Sequence, residues 1–208
     1  MRKISIYIAK NLYPSDYQIL QTKIADIKLI YDLAILRKQI SLLEQLLISG
    51  EDHRFRYHVG FDIFSILRAC INNLTYGKKQ GASTISQQLV RVLVNDYEFS
   101  LYRKIKEIIL ATALEGMIPK VHIPSAYLLV AYYGTNLTGL DTIARKMQIT
   151  DIRMLTLNNA AEIIARIKYP ENTKINSNKR NLQIKSRTIH LQKLYDKHKK
   201  QKYFSPYY

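Results

Sequence analysis

Apolar side chains recur at three- and four-residue spacing along most of this chain. Ile24, Ile27, Ile30, Leu33 and Ala34 fall on one side of a helical projection, while Lys23, Asp26, Lys28 and Asp32 occupy the other faces. A period near 3.6 predicts an amphipathic helix across 17–48. Similar patterns predict helices near 61–74, 84–96, 101–117, 122–132, 138–147 and 153–167, with breaks at Gly77, Gly81, Pro119, Pro124, Gly134 and Pro170. Strand-like alternation is scarce, so the fold class is mainly α. Beyond Lys168 the chain turns polar and basic, and the spacing weakens before Ile189, Leu191 and Leu194. An irregular basic segment, one more helix and a frayed Tyr-rich tail are expected there. No internal repeat is apparent.

Composition narrows the class. The chain has 208 residues, 47% of them hydrophobic, enough for one domain with a buried core. Its formal net charge of +16 favours anionic partners: nucleic acid, phosphorylated substrates or an acidic lipid surface. The lone Cys70 cannot form an internal disulfide, so cysteine usage leaves the redox compartment open. The apolar stretch from Ile4 is cut short by Lys10 and Asn11, and no secretory signal is read there. Longer apolar stretches are broken by charge before reaching the about 20 residues that cross a bilayer, so membrane contact is expected to be peripheral.

Three polar clusters interrupt the helical pattern. The first runs from Glu51 and Asp52 through His53, Phe55 and His58 to Gly60. A helix starting nearby would turn backbone N–H groups toward the acids; solvated acids at a helix entrance fit the same residues. Phe55 reads as a core anchor and His58 as a hydrogen-bonded histidine. No metal site is expected, because no further His or Cys stands at ligand spacing beside His53 and His58. In the second cluster, from Gln80 to Leu89, Gly81 permits close approach and Ser83, Thr84, Gln87 and Gln88 offer neutral groups suited to a sugar or phosphate, with Arg91 one turn on. The alternative is a helix cap on Ser83 or Thr84 with the glutamines facing water. The Lys-Ser/Thr ending of a nucleotide-binding loop is missing. The third cluster, Arg103-Lys104-Ile105-Lys106-Glu107, sets Arg103 and Glu107 four residues apart on one helix face. An exposed pair of this kind contributes only about 0.3–0.5 kcal/mol. The apolar run from Ile108 to Leu114, however, predicts a buried helix whose polar start opens into a cleft.

In order and spacing these clusters resemble the motifs of the peptidoglycan glycosyltransferases, glycosyltransferase family 51, which comprises monofunctional transglycosylases and the transglycosylase domain of bifunctional penicillin-binding proteins. The pattern Glu-Asp-x-x-Phe-x-x-His-x-Gly matches at Glu51, Asp52, Phe55, His58 and Gly60. Gly-x-Ser-Thr-x-x-Gln-Gln matches at Gly81, Ser83, Thr84, Gln87 and Gln88, and Arg-Lys-x-x-Glu at Arg103, Lys104 and Glu107. Weaker similarity continues through Glu115, Tyr127, Leu128, Gly134 and Gly139 toward Arg187, so the resemblance covers roughly 40–191.

The resemblance implies a lysozyme-like helical domain with a substrate cleft, organised as an N-terminal helical segment (1–48), a transglycosylase-like domain (49–191) and a basic, Tyr-rich tail (192–208). It implies polymerisation of lipid II, a lipid-linked disaccharide-peptide, into a growing glycan strand at the outer face of the bacterial cytoplasmic membrane. Carried over by position, Glu51 is the general base and Glu107 the second catalytic acid. Glu107, Arg103 and Arg91 sit around the donor pyrophosphate, where a divalent cation, Mg or Mn, can assist, and Lys104 counts among the substrate-binding residues. Asp52, Phe55, His58, Ser83, Thr84 and Gln88 shape or support the cleft.

The chain departs from the pattern in places. Arg91 stands where the family usually has Lys, which keeps the charge and changes its geometry. Phe99 replaces an Arg, and Ile-Leu-Glu-x-Tyr-Leu-Asn appears as Ile123-Pro124-Ser125-Ala126-Tyr127-Leu128-Leu129, without its acid and amide. Pro124 is expected to shift that helix, since proline removes a backbone donor. These changes bear on rate, processivity and retained activity, and leave both main acids intact. Two alternatives share the residues: a noncatalytic lipid II or glycan binder, and a lysozyme-like hydrolase using two carboxylates. Nucleic-acid binding is the weaker reading of the basic end from Lys179 to Lys202 with Tyr203, Phe204, Tyr207 and Tyr208, because no nucleic-acid motif accompanies it. An anionic membrane surface suits the same charges.

Overall fold

The computed structural model describes residues 2–76, 81–172 and 176–204. Gly77, Gln80, Tyr207 and Tyr208 lie outside the described residues. Eleven α-helices are present among the described residues: α1 (Arg2–Leu12), α2 (Pro14–Ile30), α3 (Leu33–Gln39), α4 (Ser41–Glu51), α5 (Ile63–Tyr76), α6 (Ile85–Val94), α7 (Leu101–Met117), α8 (Ile123–Val130), α9 (Leu140–Lys146), α10 (Leu157–Lys168) and α11 (Ser177–Lys200). One antiparallel pair, β1 (Tyr132–Gly134) with β2 (Leu137–Thr138), completes a mainly α fold of the lysozyme-like class.

The chain divides into two compact units, Met1–Ile30 with Glu51–Ile123 and Tyr31–Gly50 with Pro124–Tyr208. In the first unit α7 is central. Its Leu110, Ala111, Ala113 and Leu114 are buried, as are Ile85 and Leu89 of α6 and Leu20 and Ile24 of α2. Lys106 of α7 bridges Asp16 at 3.0 Å and Asp96 at 2.7 Å. Lys28 Nζ donates to the Met117 carbonyl at 3.0 Å, placing a cation at the negative end of α7. The buried Glu115 carboxylate gathers this unit's loops, accepting from the Gly60 N–H at 2.7 Å, Ser86 Oγ at 2.8 Å and Lys120 Nζ at 2.9 Å.

In the second unit α10 packs along α11, burying Ala161, Ile164, Ile184 and Leu191. Arg187 donates to the Gly50 carbonyl at 2.8 Å, and His198 Nδ1 pairs with Ser49 Oγ at 3.0 Å, so α11 holds the end of α4. Ser125 Oγ donates to the fully buried Glu44.

Several sequence expectations need correction. The helix expected over 17–48 is three helices: the Asp32 side chain accepts the N–H groups of Ala34 at 2.9 Å and Ile35 at 3.1 Å and starts α3 afresh, and α3 ends at Ile40, whose φ of −111° and ψ of 22° leave the helix before α4 begins. Apolar spacing continues in phase across that break and conceals it. Helix α1 falls within the N-terminal helical segment expected over 1–48, ahead of the periodic stretch that begins at residue 17. Pro124 lies in the first turn of α8, where no intrahelical donor is required, so it does not distort that helix. In the described part of the tail, Phe204 is buried and stacks on Tyr195 with ring centroids 5.8 Å apart. That ring is therefore not free to stack on bases.

Gly60 has φ of +75°, and a Cβ there would stand 2.5 Å from the Thr112 backbone nitrogen. Gly60→Ala should lower unfolding free energy by more than about 1 kcal/mol, since both the left-handed conformation and the clash oppose it. Urea denaturation measures this; an unchanged midpoint would show that the turn tolerates a side chain.

Candidate functional site

Helix α6 supplies the platform on which the polar clusters meet. Thr84 caps its N-terminus, accepting from the Gln87 N–H at 3.2 Å, while Gln87 Oε1 accepts from the Thr84 N–H at 3.1 Å to complete a capping box. Thr84 Oγ1 also donates to the Gly60 carbonyl at 2.6 Å. Asp52 accepts the Ile85 N–H at 3.0 Å and pairs with His58 Nε2 at 3.0 Å, tying the first cluster to the start of α6. Phe55 is fully buried, with the Lys120 ammonium 4.6 Å from its ring centroid. Asp52, Phe55, His58 and Thr84 are thus engaged in holding the loop and helix in place. The cap is Thr84, and Gln87 is buried rather than facing water.

The charged centre of the site is Glu107, whose side chain is only 3% exposed. Arg91 grips it with two nitrogens, Nε at 3.0 Å and Nη2 at 3.1 Å. Lys104 Nζ donates to it at 2.7 Å, and Arg103 closes from one turn earlier on α7. Ser83 Oγ lies between the cations, 3.3 Å from Arg91 Nη2 and 2.9 Å from Lys104 Nζ. Lys104 also donates to Gln87 Oε1 at 3.0 Å. Three cations against one carboxylate leave two positive charges for a ligand.

Glu51 stands beside this cluster. Gln88 Nε2 donates to Glu51 Oε2 at 3.3 Å. Gln88 and Arg91, three residues apart, share a face of α6, so the two acids address consecutive turns of one helix, about 5 Å along its axis. Buried Gln88 Oε1, Gln87 Nε2 and Arg103 Nε have no protein partner. Orphaned polar atoms are uncommon in folded interiors, and three around one cation cluster mark a place built for a polar ligand.

Among the candidate residues, Ser83, Gln88, Arg91, Arg103, Lys104 and Glu107 converge with Glu51, while Phe99 is fully exposed and Ser125 is held by Glu44 in the second unit. Gly81 leaves open space around the entrance, since a Cβ added there would meet nothing within 4 Å. The sequence did not disclose Lys120, which donates to Glu115 and the His58 carbonyl. Its only local mark is the break at Pro119 before it. Gln87 stood among the neutral groups, and its Lys104 contact across α6 and α7 leaves no spacing signal.

A family model described as Transglycosylase matches residues 32–194. Penicillin-binding protein 1A of Rickettsia bellii is 33% identical over 149 residues, covering 70% of this chain and 19% of the relative. Penicillin-binding protein 4 of Bacillus subtilis is 35% identical over 124 residues, or 59% of this chain and 20% of the relative. Penicillin-binding protein 1A of Vibrio cholerae is 36% identical over 129 residues, 62% and 16% respectively. The chain spans about a fifth of the length of these curated relatives. Helices α1 and α2 precede the matched stretch.

Burial lowers the pKa of Lys104 below the ordinary lysine value, with Arg91 and Arg103 adding to the effect and Glu107 opposing it. On alkaline titration Lys104 should therefore lose its proton before the surface lysines do, and inorganic diphosphate should move its midpoint upward by favouring the charged form. Competitive acetylation read by mass spectrometry checks both signs. A Lys104 midpoint at or above those of the exposed lysines, unmoved by diphosphate, would contradict the electrostatics described.

Proposed function

The chain belongs to the transglycosylase family, and on that premise we propose that it is a peptidoglycan glycosyltransferase that polymerises lipid II into glycan strands. The observation that carries this reading is the placement of Glu51 one turn of α6 from a cation cluster with charge to spare. Glu51 takes the proton from the acceptor's 4-hydroxyl. The freed oxygen attacks the anomeric carbon of the donor from the face opposite the diphosphate, forming the glycosidic bond with inversion. The bond to the lipid diphosphate breaks, and its electron pair leaves on the diphosphate oxygen. Arg91, Arg103 and Lys104 stabilise the negative charge as it develops, and their geometry is set in advance by Glu107, Ser83 and Gln87.

A divalent cation, Mg or Mn, belongs on the substrate side of this picture. Among the described residues no three His, Cys, Asp or Glu side chains gather as a metal site. Glu107 already accepts from three cations, so these residues do not suit a protein-held metal; the ion would be carried by diphosphate oxygens. Phe99 points no charge at the cluster, which leaves the electrostatic role to Arg91, Arg103 and Lys104.

No described helix is long and apolar enough to cross a membrane. Surface attachment at the outer face of the bacterial cytoplasmic membrane is the localisation we propose. On α11, Lys179, Lys185, Lys193, Lys197, Lys199 and Lys200 are exposed and available to anionic headgroups. Each such side chain near the surface contributes about 1 kcal/mol. Sedimentation with acidic vesicles should weaken steeply as salt rises; equal association with neutral vesicles would count against an electrostatic attachment.

The catalytic assignment is tested by incubating the protein with lipid II and a divalent cation and resolving chain products. Glu51→Gln should reduce polymerisation by roughly 10²–10⁴-fold while lipid II binding persists, as loss of a general base requires. Binding without turnover in the unmodified protein would identify a noncatalytic relative, and release of soluble fragments from preformed wall would identify a hydrolase.

A further inference from the structure

Helix α11 carries a buried stripe that takes no part in the charge cluster. Arg187, Leu191, Tyr195 and His198 follow one another at steps of four, four and three residues, which places them on one face, and all four are buried. The stripe meets the last turn of α4. Arg187 Nη2 donates to the Gly50 carbonyl at 2.8 Å, a Cβ on Gly50 would collide with Leu191 Cδ2, and His198 Nδ1 pairs with Ser49 Oγ at 3.0 Å. Ser49 and Gly50 directly precede Glu51, where α4 ends.

The chain beyond α11 folds back to close the stripe. Lys202 adopts the left-handed conformation at a φ of +52°, its N–H donates to the Lys199 carbonyl at 3.0 Å, and the Tyr203 N–H donates to the His198 carbonyl at 2.9 Å. These two bonds form a Schellman turn, which lays the residue after the left-handed position back on the helix. Tyr203 accordingly covers His198, with ring centroids 5.1 Å apart. Phe204 stands edge-on to Tyr203 at 5.7 Å while stacking on Tyr195. The Ser49–His198 pair is thereby shielded from water, its residues 4% and 8% exposed. Tyr195, His198, Tyr203 and Phe204 all lie beyond the matched 32–194 stretch.

A helix end needs such support. The last four carbonyls of a helix have no intrahelical partner, and a final turn left to itself frays. The bond from Gln88 Nε2 to the Glu51 carboxylate is long, at 3.3 Å, and holds the side chain rather than the backbone it hangs from. A catalytic group displaced by about 1 Å can lose roughly 10²-fold in rate. We propose that His198 is a positioning residue for catalysis: through Ser49 it fixes the last turn of α4, and with it the backbone from which Glu51 reaches the acceptor hydroxyl. The proposal rests on the reading of Glu51 as general base, and it gives Tyr203 and Phe204 the task of keeping the Ser49–His198 bond dry.

The test is lipid II polymerisation by the full chain, read as kcat and KM, alongside calorimetric binding of inorganic diphosphate. His198→Leu should lower kcat by at least about tenfold and leave KM and diphosphate affinity within about twofold, because the cation cluster is untouched. Ser49→Ala removes the same bond with a residue that favours helix and should act likewise; it decides the matter if His198→Leu does not fold. His198→Asn, whose amide can stand where Nδ1 stands, should recover most of the rate. In the Glu51→Gln background neither His198→Leu nor Ser49→Ala should lower the residual rate further, since the group they position is gone. Unchanged kcat in both variants would overturn the proposal and leave the role of Glu51 standing. So would an undiminished loss in the Glu51→Gln background, which would mark the clasp as merely structural. An unmodified protein that binds diphosphate but makes no chains, or a Glu51→Gln variant as active as the unmodified protein, would overturn the general-base reading and this proposal with it.

Discussion

A buried carboxylate surrounded by more positive charge than it can neutralise is the constraint on which the first unit is organised. Glu107 in the packed interior between α6 and α7 needs partners, because an unpaired buried charge is strongly disfavoured. Arg91, Arg103 and Lys104 provide them, and their number exceeds the need. Three long cationic side chains held together repel one another unless a further anion joins them. Such an arrangement is poor as a stabilising device and well suited to receiving phosphate oxygens, since its donors are aimed before the ligand arrives.

Holding that arrangement requires both helices to start at fixed points. Thr84 and Ser100 cap α6 and α7, and the backbone N–H at the start of α6 is also tied to Asp52. Asp52 and Glu51 are neighbours in sequence with different roles: one fastens the loop to the helix, while the other reaches Gln88 on the helix face that continues to Arg91. Glu115 and Lys120 perform the corresponding task at the far end of α7, pinning Gly60, Ser86 and the His58 carbonyl. Loop residues that look catalytic by composition thus divide into those that face a ligand and those that fix the backbone behind them.

The sequence disclosed what is local. The four-residue step from Arg103 to Glu107 and the three-residue step from Thr84 to Gln87 each bring side chains together through helix geometry alone, and both pairs are in contact. Periodicity likewise located most of the helices. Contacts that depend on packing left no such mark: Gln88 meets Glu51 across 37 residues and Lys106 meets Asp16 across two helices. The break at Asp32 stayed hidden because its side-chain cap began a new helix without disturbing the apolar spacing. The roles of the clustered residues came from motif resemblance, whereas the excess of charge at Glu107 and the division of labour between Glu51 and Asp52 required three-dimensional geometry.

The most direct measurement is a crystal structure of the chain grown with inorganic diphosphate. The expected result is a diphosphate whose oxygens lie within hydrogen-bond reach of Arg91, Arg103 and Lys104, with the Glu51 carboxylate, held by Gln88, facing the same space. A diphosphate bound elsewhere at saturation, with the three cations still closed on Glu107 and no anion among them, would contradict it.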